Sequence, residues 1–221
     1  TIAQVSDMHV GRFTSGRVLL RMVQSVNELR ADLILLTGDL INDALSDLDH
    51  GIELVRAMEA RLGLYLIEGN HDLIENGPEF ERRVRASGIP FLLDQSALLS
   101  RNGAPIQLLG LSWTRAHQER DKAISDSVRA LLAQRQPEAF PILLAHHPHA
   151  FDAAAEASIQ LTLCGHTHVG QLRWNHHVGF DPAVFRNSSG PYRRSLSRLM
   201  CSYWVGLRVP LRISGPAGLR V

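Results

Sequence analysis

Two hydrophobic rhythms alternate along this chain. Short, fully apolar runs read as buried strands: Thr1–Val5, Asp32–Thr37, Leu64–Ile67, Pro141–Ala145 and Ile159–Leu163. Between them lie stretches with helical spacing. Residues 17–30 put Val18, Met22, Val26 and Leu29 on one face, and residues 46–62 are framed by Ser46 as N-cap and Gly63 as stop. Further helices are expected over 78–87 and 120–134, and short strands near 89–93, 96–101 and 105–112, with Gly103-Ala104 as a hairpin turn. Residues 170–221 read as strands punctuated by glycine, at about 171–174, 199–205, 207–213 and 218–221. The strand–helix–strand–helix–strand opening predicts a parallel sheet with right-handed crossovers. In such sheets ligands gather at the carboxyl ends of the strands. The expected architecture is one mixed α/β domain, residues 1–221, with two packed sheets and helices outside.

Composition narrows the class without naming it. Apolar residues make up 45% and charged residues 20%, ordinary for a globular protein. The net charge of +1 conceals an asymmetry: residues 170–221 hold eight arginines against one acid, Asp181. That basic third suits an anionic partner such as phosphate, nucleic acid or acidic lipid, or equally a solvated face. Lys122 is the only lysine among 23 basic residues, a uniformity that reflects genome composition more than function. Cys164 and Cys201 form no disulfide framework, so a reducing, cytoplasmic compartment is expected. No run reaches 18 apolar residues. Thr1 opens directly into a strand, and the expectation is that a signal, an anchor or a tag preceded it; an anchor would put the protein at the cytoplasmic face of a membrane.

The chemistry sits where the strands end. In order, the apolar runs lead into Asp7 and His9, Asp39, Asn70, His146, then His166 and His168. Each alone has an ordinary reading: a turn, an Asx motif, a left-handed loop residue or a polar strand terminus. Together, oxygen and imidazole donors at five strand ends of one sheet edge point to a metal site.

These blocks resemble the calcineurin-like metallophosphoesterases: Asp7-Met8-His9, Gly38-Asp39, Gly69-Asn70-His71-Asp72, His146 and Gly165-His166-Thr167-His168 match in order. The resemblance implies a four-layer αββα sandwich around a dinuclear centre. Asp7, His9 and His168 would hold one metal, and Asn70, His146 and His166 the other, with Asp39 bridging; His147 is the alternative to His146. The two divalent ions could be manganese, iron, zinc or a mixture, because this donor set admits all three. Such pairs, about 3.5–4 Å apart, activate a bridging water and steady both oxygens of an in-line displacement. His71 would protonate the leaving oxygen or stabilise charge on the phosphoryl group, oriented by Asp72.

Chain length, Leu143–Pro148, Gly165–Gln171 and the tail pattern Trp204-Val-Gly206…Pro210-Leu-Arg212 look like the small bacterial YkuE-type branch. Members of that branch are often membrane-associated, and some resemble hydrolases of lipid-linked pyrophosphates. Two departures bear on substrate choice: Val169 replaces a usual second glycine, and Gly110-Leu-Ser-Trp113 lacks an acid often seen there. Trp113, Arg115 and His117 then become candidates to line a substrate pocket, with Trp113 alternatively in the core. The expected activity is hydrolysis of a phosphodiester, pyrophosphate or phosphomonoester on a small nucleotide- or lipid-linked substrate, with peripheral contact to an anionic membrane surface. A nuclease and a catalytically silent metal-binding scaffold are the alternatives.

Overall fold

The computed structural model describes residues 1–14, 16–113, 120–167, 173–175, 178–179 and 190–201. They fall into two compact units, one built on Thr1–Phe91 and one beginning at Leu92.

The first unit has three parallel strands in the order β1 (Ile2–Val5), β2 (Leu33–Thr37) and β3 (Leu64–Ile67). All five residues of β2 are buried, as a central parallel strand covered on both faces must be. Helix α1 (Gly16–Glu28) makes the first crossover and buries Leu19, Met22, Val23 and Val26. Each such side chain contributes about 1.5–3 kcal/mol. The buried stripe is rotated from the predicted one: Val18 and Leu29 lie at its margins, half-exposed.

Helix α2 (Leu48–Arg56) is much shorter than the predicted 46–62, and a single turn of 3₁₀ helix, Leu45–Asp47, precedes it. Ser46 lies inside that turn, so it is not the N-cap. The early stop has a tertiary cause: Asn27 of α1 donates through Nδ2 to the Ala57 carbonyl (2.8 Å) and accepts the Glu59 amide at Oδ1 (2.9 Å). Those bonds replace the next helical turn, and Gly63 (φ +92°) instead turns the chain into β3. Helix α3 (Gly77–Ala86) follows, capped by Asn76, whose Oδ1 accepts the Glu79 amide at 3.1 Å. The strand predicted at 89–93 is reduced to one bridge, Phe91 beside Leu66.

The second unit holds a six-stranded mixed sheet. Strands β4 (Gln95–Arg101), β5 (Ala104–Gly110), β6 (Phe140–Leu144), β7 (Leu161–Cys164), β10 (Gly190–Arg194) and β11 (Ser197–Cys201) lie in the order β10-β11-β7-β6-β5-β4. The four inner strands are parallel and the two edges antiparallel. The β4–β5 turn is Asn102-Gly103, both at positive φ (53° and 79°), one residue earlier than predicted. That is the Asn-Gly pair a two-residue hairpin favours. Helices α4 (Arg120–Leu132) and α5 (Ala150–Glu156) cover this sheet, with Leu109, Leu143, Val128, Leu131 and Ala154 in one cluster. A further antiparallel pair, β8 (Arg173–Asn175) and β9 (Val178–Gly179), stands apart from it in the sheet order. The strands predicted beyond residue 201 lie outside the described residues. Two sheets with flanking helices are thus the observed architecture.

Candidate metal centre

On the first unit, backbone pairing continues past the ends of β1 and β2. The amides of Asp7, His9 and Val10 donate to the carbonyls of Gly38, Asp39 and Leu40 at 3.0, 3.1 and 2.9 Å. This extended ladder carries three candidate ligands side by side. Asp7, His9 and Asp39 all adopt the left-handed conformation, at φ 55°, 42° and 54°. For non-glycine residues that costs of order 1–2 kcal/mol each, and such strain collects where function demands it.

All three side chains are buried, Asp39 completely. One donor atom from each of His9, Asp39 and His71 lies within 4.8 Å of the others, and carboxylate oxygens of Asp7 and Asp39 approach one another equally closely. His9 Nε2 is 3.7 Å from Asp39 Oδ2. Two carboxylates this close and this dry repel strongly unless a cation or hydrogen-bond donors offset them. Buried carboxylate oxygens beside imidazole nitrogens are a donor set that fits a divalent first-row cation.

The loop after β3 is locked onto Asp39. The His71 amide donates to Asp39 Oδ1 at 2.9 Å. At Gly69 the approach is closer still: a Cβ there would stand 2.2 Å from Asp39 Oδ1 and 2.5 Å from its amide nitrogen. Only glycine fits. Asn70 follows, half-buried at the entry to a 3₁₀ turn, His71–Leu73.

Asp72 was expected to orient His71; the hydrogen bonds assign that work differently. The fully enclosed Asp72 carboxylate accepts the amides of Ile41 (3.0 Å) and Gly69 (2.8 Å), fastening the loop after β2 to the loop after β3. His71 Nδ1 lies 2.6 Å from the Asn42 carbonyl. A carbonyl can only accept, so Nδ1 carries a proton and Nε2 is the nitrogen left for chemistry. The ring also meets His9 edge to face, with centroids 4.5 Å apart.

On the second unit, β6 and β7 deliver histidines in the same way. The Ala145 amide donates to Leu163 O and the Gly165 amide to His146 O, at 3.0 and 3.1 Å, so the pair stays zipped beyond both strands. His146 is buried and His166 half-buried at φ 73°, their ring centroids 5.2 Å apart. His147 differs in one respect: its Nδ1 accepts the His149 amide at 3.2 Å, which engages the lone pair of that nitrogen.

Trp113 is only 5% exposed, so it is no open stacking platform. Its ring sits 4.9–5.5 Å from those of His146, His147 and His166, closing one side of the histidine cluster. At the Gly110–Trp113 strand end, the Asp94 carboxylate accepts from Ser112 Oγ (2.9 Å) and the Ser112 amide (3.3 Å). His168, Arg115, His117 and Val169 lie outside the described residues.

A family model described as calcineurin-like phosphoesterase matches residues 1–170, taking in every candidate ligand. The chain belongs to that family. As a calcineurin-like phosphoesterase it is 35% identical over 175 residues to a zebrafish (Danio rerio) transmembrane protein with metallophosphoesterase domain, covering 76% of this chain but 40% of that protein. It is 27% identical to the uncharacterized metallophosphoesterase YkuE of Bacillus subtilis, over 96% of this chain and 74% of YkuE. The phosphodiesterase YaeI of Escherichia coli is 25% identical over 76% of this chain and 60% of its own length. Among solved structures, a phosphopantetheinyl hydrolase from Mycobacterium tuberculosis shares the fold, with a TM-score of 0.61 at 12% identity, over 93% of this chain and 90% of that one. Enzymes of this family are metal-dependent hydrolases, and the phosphoesterase fold agrees with the two sheets and flanking helices described above.

Proposed function

We propose that this phosphoesterase hydrolyses a phosphodiester or pyrophosphate at a centre of two divalent cations. Asp7, His9 and His168 would hold one cation, Asn70, His146 and His166 the other, and Asp39 would bridge them. The observation that carries this reading is the buried cluster of His9, Asp39 and Asp7, strained in backbone and dense in negative charge. The family match across residues 1–170, which takes in Asn70, His146, His166 and His168, supports the remaining ligands. The engaged Nδ1 of His147 favours His146 as the ligand.

When bound, the cations would supply Lewis-acid activation of water and neutralise charge on the phosphoryl oxygens. The chain's own residues do the rest. Asp39 fixes the loop after β3 through the His71 amide. His71, held by Asn42 O at Nδ1, would donate a proton from Nε2 to the departing oxygen when the ring carries both protons, and is left with its Nδ1 proton afterwards. Asn70 contributes a neutral oxygen, which leaves the site net positive for an anionic substrate. The relative named as a phosphodiesterase favours a diester over a monoester.

The test is turnover of bis(p-nitrophenyl) phosphate by protein reconstituted with manganese. Asp39→Asn should abolish it while the protein stays folded. Full metal binding with no turnover of mono-, di- or pyrophosphate esters would refute the reading and leave a metal-binding scaffold.

A further inference from the structure

The first 169 residues carry an excess of acids, yet one surface within them is basic and apolar together. From Val10 to Asn27 there is no aspartate or glutamate, and Arg12, Arg17 and Arg21 are all exposed. Among the described residues none of the three has an acidic partner. Asp47, whose carboxylate lies beside Gly11, is half-buried.

Between these arginines stand two large apolar side chains that the fold does not use. Phe13 is 68% exposed and Leu20 56%. Arg12 lies over the Phe13 ring at 4.6 Å. On α1, residues 17, 20, 21 and 24 share one helical face opposite the buried stripe of Leu19, Met22, Val23 and Val26. The outward face therefore presents Arg17, Leu20, Arg21 and Gln24, and Arg12 and Phe13 occupy the turn leading into the helix. That turn begins three residues after His9, at the carboxyl edge of the sheet that carries the candidate ligands.

We propose that this face of α1 and the turn before it dock on an anionic lipid bilayer. Guanidinium groups suit lipid phosphates, and exposed Phe and Leu suit the boundary between headgroups and acyl chains. A nucleic acid would use the arginines but has no place for Leu20. Docking would set the sheet edge that carries Asp7, His9 and Asp39 beside the bilayer surface.

Co-sedimentation with vesicles tests this, and it needs neither metal nor turnover, so its failure is separate from failure of the proposed reaction. The protein should sediment with phosphatidylglycerol–phosphatidylcholine vesicles, not with phosphatidylcholine alone, and the bound fraction should fall as salt rises. The double variant Arg17→Gln/Arg21→Gln should lose about fivefold in partition per arginine. Phe13→Ser/Leu20→Ser should also bind more weakly, with less change in salt dependence. Both pairs leave the buried stripe intact, and circular dichroism checks the fold. Sedimentation of both double variants like the wild type would overturn the proposal, because the arginine-rich residues after 170 would then carry any binding. Equal binding to neutral vesicles would overturn it too, as would loss of binding to a short DNA duplex in the variants with vesicle binding unchanged.

Discussion

Gly69→Ala puts the loop after β3 to the sharpest test. The added methyl would sit 2.2 Å from Asp39 Oδ1 and 2.5 Å from the Asp39 amide nitrogen, and real Cβ contacts essentially never fall below 3.0 Å. One of the two segments must then move by about 0.8 Å or more, and the nitrogen belongs to backbone that the ladder with His9 already holds. Overpacking of this kind costs about 1–3 kcal/mol. The His71 amide bond to Asp39, now 2.9 Å, stretches or breaks, adding about 1.5–3 kcal/mol because its acceptor is charged and buried. The lost flexibility of the unfolded chain returns about 0.4–1 kcal/mol. The net expectation is a loss of about 2–5 kcal/mol in urea unfolding and metal binding weakened about 10–100-fold, as for other groups that position a ligand. Gly16→Ala is the control: nothing lies within 4 Å of its Cβ, so it should be neutral or slightly stabilising. A Gly69→Ala protein within about 1 kcal/mol of wild type, with unchanged metal affinity by calorimetry, would refute the close approach.

Three other expectations follow from single contacts. Asp72→Asn keeps one acceptor for the amides of Ile41 and Gly69 and turns a donor toward the other, so urea unfolding should show a loss of about 2–3 kcal/mol. Trp113→Phe should remove most of the fluorescence quenching that cobalt produces on titration, because Trp113 sits 4.9 and 5.4 Å from the rings of His166 and His146; unchanged quenching would place the cation elsewhere. Burial raises the Tyr65 phenol above its ordinary value of 10.0, so the folded state disfavours its ionisation. That contribution is present below pH 10, falls away as the pH rises toward the folded value, and should vanish in Tyr65→Phe when urea midpoints are compared across alkaline pH.

The strand ends were legible because each local rule pointed the same way. An apolar run of four or five residues is too short for a buried helix and reads as a buried strand, and a parallel order brings its carboxyl end to one edge. Asp7, His9, Asp39, Asn70, His146 and His166 therefore emerge at or just beyond strand ends. What failed were features decided by contacts far along the chain. The end of α2 depends on Asn27, 30 residues upstream of Ala57. The partner of His71 is a main-chain carbonyl, which every residue owns and no motif marks. Trp113 could be a pocket wall or core until the order β5-β6-β7 put it beside both histidine-bearing strand ends.

The same contrast bears on how the site acts. Asp39 and Asp72 look equivalent in sequence, each an acid in a short loop after a strand, but the structure sets them opposite tasks. Asp72 accepts two amides with its two oxygens, so its charge stabilises backbone geometry. Asp39 accepts one amide at Oδ1 and turns Oδ2 toward His9. A carboxylate with both oxygens on backbone amides is a fastening; one that turns an oxygen toward an imidazole beside a second carboxylate suits a cation. Replacing each by asparagine separates the two tasks. Asp72→Asn should cost stability first, and Asp39→Asn should cost metal binding first, with less loss of stability because it relieves the repulsion with Asp7.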